Sequence, residues 1–145
     1  MAARPAKRLT MVEVSHFQQL LRAASAEPEP QRLLFVFAGA ELPNHPTAEQ
    51  RERFNAGRGG ALAPVMCVDK ASGDLADFDT LRAESRRAGP PWQVVFAAAL
   101  SGAEGLPPPK PLVDTALEKM VSAVTLGMVG QFAAFTEDGD PIQFR

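Results

Sequence analysis

The chain has one cysteine, two histidines and no tyrosine among its 145 residues, and each scarcity closes off a class of chemistry. One cysteine cannot build an internal disulfide framework, so nothing in the thiol content calls for an oxidising compartment, and the expected location is the cytoplasm. With His16, His45 and Cys67 scattered singly, neither HExxH nor paired CxxC spacing occurs, and no metal or cofactor is expected. A run of about 18 apolar residues, the length a membrane-crossing helix needs, is also missing, so no membrane contact is expected. The opening "MAARPAKRLT" carries Arg4, Lys7 and Arg8, but Glu13, His16, Gln18 and Gln19 interrupt the apolar run of a secretory signal. Residues 1–12 are therefore expected as a flexible basic tail and 13–145 as a single domain. A basic face is lacking as well: the net charge is −2, with acids and bases interleaved in "EQRER" and "LRAESRR", so nucleic acid is not an expected partner.

What is present is a well-patterned core. Apolar residues make up 46% of the chain and charged residues 22%, which places it among globular proteins and away from disordered ones. "SHFQQLLRAASA" opens with Ser15 and Gln18 in capping-box spacing, and Phe17, Leu20, Leu21 and Ala24 then recur at helical intervals. "RLLFVFAGAELP" is apolar from Leu33 to Ala40 and predicts an interior strand. A short helix is predicted from Thr47, and a second strand over Val65–Val68. In "DLADFDTLRAESRRAGPP", Asp74, Asp77 and Asp79 precede Arg86 and Arg87, the charge order a helix dipole favours, and Leu75, Phe78 and Leu81 form its buried stripe. "WQVVFAAAL" predicts a third strand. The proline-rich "SGAEGLPPPKP" predicts a surface loop, and Val113, Ala116, Leu117, Met120, Val121 and Val124 one face of a helix that Gly127 ends. Two short apolar runs around "EDGDP" predict a terminal hairpin. Alternating helices and strands point to an α/β domain: a mostly parallel sheet of about four to five strands, flanking helices and a C-terminal β-hairpin.

In a parallel sheet, ligands gather beyond the carboxyl ends of the strands. Those ends carry Glu41 with nearby His45, then Asp69 and Lys70, then Ser101, and these five residues form the candidate ligand pocket. Strand ends are also where any fold turns polar to meet water, so the same residues suit ordinary loops. Cys67 lies inside "PVMCVDK", in mid-strand rather than at an element's end, and is expected to be a small core residue that resists alkylation until the chain unfolds. "AGRGGA" lacks the Lys-Ser/Thr of a phosphate loop, and "AALSGA" lacks the following helix of a nucleophile elbow. No catalytic residue is assigned.

The segments "QRLLFVFAGAELP", "TAEQRERFNAGRGGALAPVMCVDK", "PPWQVVFAAALSG" and "FTEDGDPIQFR" resemble a family of small proteobacterial proteins that carry the label "ribonucleotide reductase subunit alpha". The resemblance spans roughly residues 11 to 145. It implies no active site. A genuine catalytic subunit of that enzyme needs a radical-forming cysteine and a redox-active cysteine pair, and one cysteine cannot serve as three. Two readings follow. The first is a non-catalytic protein-binding or accessory module, docking through its proline-rich loop and acting as a homodimer or with a protein partner. The second is a small enzyme or ligand binder that uses Glu41, His45, Asp69, Lys70 and Ser101, with its small molecule unspecified.

Overall fold

A computed structural model of the chain describes residues 15–41, 47–49 and 61–143. The expected basic tail over 1–12, most of the helix expected from Thr47, and His45 lie outside the described residues.

Among the described residues, α1 (His16–Ala26), β1 (Gln31–Glu41), β2 (Ala61–Ala71), α2 (Phe78–Ala88), β3 (Val94–Ser101), α3 (Lys110–Thr125), β4 (Ala133–Thr136) and β5 (Pro141–Ile142) follow one another. Local chemistry sets most of these boundaries. Ser15 caps α1 by accepting the Gln18 N–H at 3.0 Å, while the Gln18 amide reaches out of the helix to donate to the Ala76 carbonyl at 3.1 Å. Asp77 caps α2 through the Thr80 N–H at 2.8 Å, with Asp79 in the first turn and Arg86 and Arg87 in the last. Pro111 sits in the first turn of α3, where a missing N–H costs nothing, so that helix begins inside the expected loop. It ends in a Schellman arrangement: Gly127 takes φ 76°, its N–H bonds the Val124 carbonyl, and the Met128 N–H bonds that of Ala123.

The strands form one sheet in the order β2-β1-β3-β4-β5, and every neighbouring pair is antiparallel. The expected mostly parallel sheet is thereby overturned. Strands alternating with helices suggest parallel neighbours only if each connection ends beside the strand it left with the same direction. Here α2 carries the chain from β2 to β3 across the intervening β1, so β2 and β3 run the same way without touching. The next connection, through α3, returns β4 antiparallel beside β3. β4 and β5 form the terminal hairpin, whose turn Thr136 clasps by accepting from the Asp138 and Asp140 N–H groups at 3.2 Å.

The double-sided apolar pattern of β1 records coverage on both faces, not strand direction. Leu33, Phe35 and Phe37 point into a core with α1 and α2 that includes Phe17, Leu21, Phe78, Leu81, Trp92 and Phe135. Leu34, Val36 and Ala38 point the opposite way, into a second core with Val113, Leu117, Met120 and Val124 of α3. Among the described residues, α1 and α2 thus cover one face and α3 the other.

Candidate functional site

The antiparallel register decides where the five candidate residues stand. Glu41 pairs with Ala61 at one end of the sheet. Asp69 pairs with Leu34, Lys70 with Leu33, and Ser101 with Gln31, near the opposite end of β1. Ten residues of strand separate Gln31 from Glu41, about 33 Å at the usual rise. The pleat divides the remaining three again. Asp69 lies on the α3 face with Leu34, whereas Lys70 and Ser101 share the α1/α2 face with Leu33 and Gln31.

Each of these three side chains also has a partner inside the fold. Asp69 Oδ2 accepts from Arg32 Nε at 2.6 Å. Lys70 Nζ lies 2.5 Å from Glu84 Oε1, which ties β2 to α2. The Ser101 hydroxyl accepts from the buried Gln31 amide at 3.0 Å and gives its own proton to the Gly102 carbonyl at 3.1 Å. A serine whose proton is aimed at a backbone carbonyl has no base to activate it. At the start of α3, Lys110 Nζ donates to Asp114 at 2.9 Å, and this bond, helped by the charges of Asp114 and Asp69, raises its pKa. Arg32, Asp69, Lys110 and Asp114 thus form a charge-balanced group, not a site of one sign.

Cys67 differs from expectation: its residue is exposed, not buried in the core. β2 is an outer strand of the sheet, and Cys67 opposes Val36 on a face whose cover leaves that position open. A cleft of about 430 Å³ runs between β2 and α2 beside it, lined by Met66, Cys67, Lys70, Leu81 and Glu84 among others. A second, of about 590 Å³, opens between the start of α1 and the β4–β5 hairpin. Its walls are His16, Leu20, Phe132, Phe135 and Ile142 with their neighbours. In the first cleft Lys70 and Glu84 are paired with each other, and the Ser85 hydroxyl donates to the Arg82 carbonyl at 2.7 Å.

The feature that stands out chemically is apolar. Among the described residues, four large hydrophobic side chains are exposed: Leu106 at 65%, Leu112 at 57%, Leu126 at 71% and Met128 at 64%. All four flank or belong to the ends of α3. Leu106 is held there by a built turn. Glu104 and Gly105 take φ 56° and 77° between the bridged Ala103 and Leu106, and the Glu29 carboxylate accepts the Gly105 N–H at 2.7 Å. Gly102 packs so close to the Leu106 carbonyl that any Cβ there would collide with backbone. Leu112 and Leu126 lie off the buried stripe of α3, and that offset was the available signal in the sequence. No family model, no curated protein and no solved structure matches the chain.

Proposed function

We propose that this chain is a non-catalytic, cytoplasmic protein-binding module whose contact surface is the α3 layer, acting as a homo-oligomer or with a protein partner. The observation that carries this reading is the placement of the four exposed large hydrophobics at the two ends of one helix. Leucines scattered singly over a surface need no explanation, but a set gathered on one element marks a surface that gains free energy when covered. Its supports are rigid. The turn at Leu106 is held by Glu29 and by the close approach of Gly102, and the turn at Met128 by the Schellman bonds. Side chains carried on ordered backbone turns add little backbone entropy loss on binding, which favours recognition. The polar candidates Asp69, Lys70 and Ser101 meanwhile serve the fold through Arg32, Glu84 and Gln31.

Capture of partners by the tagged chain from lysate of its own organism, with the mass of the recovered assembly, tests the reading. The same capture with the double variant Leu106→Asp, Met128→Asp controls for the surface. A stoichiometric assembly that the double variant loses, while its circular dichroism and melting stay unchanged, is the expected result. A chain recovered alone as a monomer, or an assembly indifferent to the double variant, overturns it.

A further inference from the structure

The exposed side of α3 carries more than leucines at its ends. Leu112, Ala116, Lys119, Ala123 and Leu126 follow one another at intervals of about four, three, four and three residues, which puts them in one stripe along the helix. The core stripe of Val113, Leu117, Met120 and Val124 lies about 100° around the helix from it. Along the outer stripe Leu112, Lys119 and Leu126 are exposed, and Ala116 and Ala123 are half-buried. Its composition, Leu-Ala-Lys-Ala-Leu, reads the same in both directions.

A stripe that is its own reverse suits an identical helix running the opposite way. We propose, resting on the binding-module reading above, that α3 packs antiparallel against α3 of a second copy of this chain, about a two-fold axis passing between the two Lys119 residues. Leu112 then meets the second copy's Leu126, and Ala116 meets its Ala123. The small alanines let the helix axes approach to about 8 Å. At the axis, each Lys119 ammonium reaches on its flexible stem to the second copy's Glu118, an exposed carboxylate beside it in sequence, so the two lysines are offset by two acids. Beyond the helix ends, Leu106 of one copy approaches Met128 of the other. One isologous contact thus covers all four large hydrophobics that the described residues leave exposed.

The size of the contact sets its strength. A helix of 16 residues is about 24 Å long, and its face with the flanking turns falls short of the roughly 800 Å² per partner of a standard stable interface. The dimer is therefore concentration-dependent, with a Kd in the micromolar range, on the order of 1 to 100 µM.

Sedimentation velocity across that range, on wild type and on the surface variants Leu112→Glu and Leu126→Lys, tests the pairing. Wild type is expected to shift from monomer to dimer, and each variant alone to associate at least tenfold more weakly with an unchanged circular dichroism spectrum. An equimolar mixture of the two variants is expected to recover the dimer, because antiparallel packing sets the introduced carboxylate against the introduced ammonium at one end and keeps both leucines at the other. A wild-type monomer throughout, a dimer indifferent to both variants, or a mixture that stays monomeric overturns the proposal. A monomer that still captures a stoichiometric protein through α3 overturns self-pairing and leaves the binding-module reading standing, whereas a monomer that captures nothing overturns both.

Discussion

The two faces of the sheet are built from different materials. On the α1/α2 face, Phe17 sits 5.1 Å from Phe78 and 5.3 Å from Phe135 in edge-to-face contacts, and Phe37 packs 5.0 Å from Trp92. These rings interlock helix, sheet and hairpin, and no large hydrophobic side chain of α1 or α2 is left exposed among the described residues. The α3 face is mainly aliphatic, with Phe96 and Phe132 6.5 Å apart in it, and both ends of its helix hold leucines out to water. The contrast teaches that the aromatic face is finished as a core, whereas the aliphatic one supports a helix with a second apolar side.

The largest effect that would sharpen this contrast is expected from Phe17→Ala. Phe17 is fully buried and touches three other rings, so its loss should cost about 3–5 kcal/mol in urea unfolding. Met120→Ala, in the mainly aliphatic core, should cost about 2–3 kcal/mol, because Met is an unbranched, adaptable side chain and the small neighbours around it close part of the cavity. Equal losses at the two sites would break the distinction. Trp92→Phe comes next. It keeps the ring contacts but removes the 2.8 Å bond from the indole Nε1–H to the buried Ser85 hydroxyl, for about 1–2 kcal/mol.

A smaller, pH-dependent effect is expected at the start of α2. The Thr80 N–H and hydroxyl bonds hold the Asp77 carboxyl below its ordinary pKa. A folded-state value below the unfolded one means that the stabilisation is complete above about pH 3.9, the unfolded value, and is lost as pH falls through the lowered folded value. Asp77→Asn keeps a capping oxygen without the titration. The gap in melting temperature between wild type and variant should therefore be flat from pH 7 to 5 and shrink below about pH 4. A gap that stays constant into acid would refute the assignment. The smallest stability effect belongs to Leu112→Glu and Leu126→Lys, within about 0.5 kcal/mol on the isolated chain, since both positions face water. Cys67, exposed on the outer strand, should react with iodoacetamide without unfolding. Protection in the native chain would show that its face is covered.

Local features were legible. Ser15 as a cap, the acids before α2 as its start, Gly127 as a helix end, the turn at "EDGDP" and the buried stripe of Leu75, Phe78 and Leu81 each depend on residues within one or two turns of chain. Partners distant in sequence were not legible. Lys70 stands in a strand and Glu84 in a helix, and only the packing of α2 on β2 joins them. The candidate pocket rested on strands pointing one way, and reversing β1 moved Glu41 to the far end from Asp69 and Ser101.

The sequence by itself determined which described segments are helices and which are strands, because capping, proline placement and apolar period act over a few residues; the bounds moved where pairing extended β2 to Ala61–Ala71 and where α3 begins inside the expected loop. It also determined that β1 would be buried on both faces. Tertiary structure alone decided the direction of the strands, the outer position that exposes Cys67, and the side of α3 that stays in water. Alternation along a strand is the same for parallel and antiparallel pairing, and whether an apolar side chain is buried depends on which element lies over it.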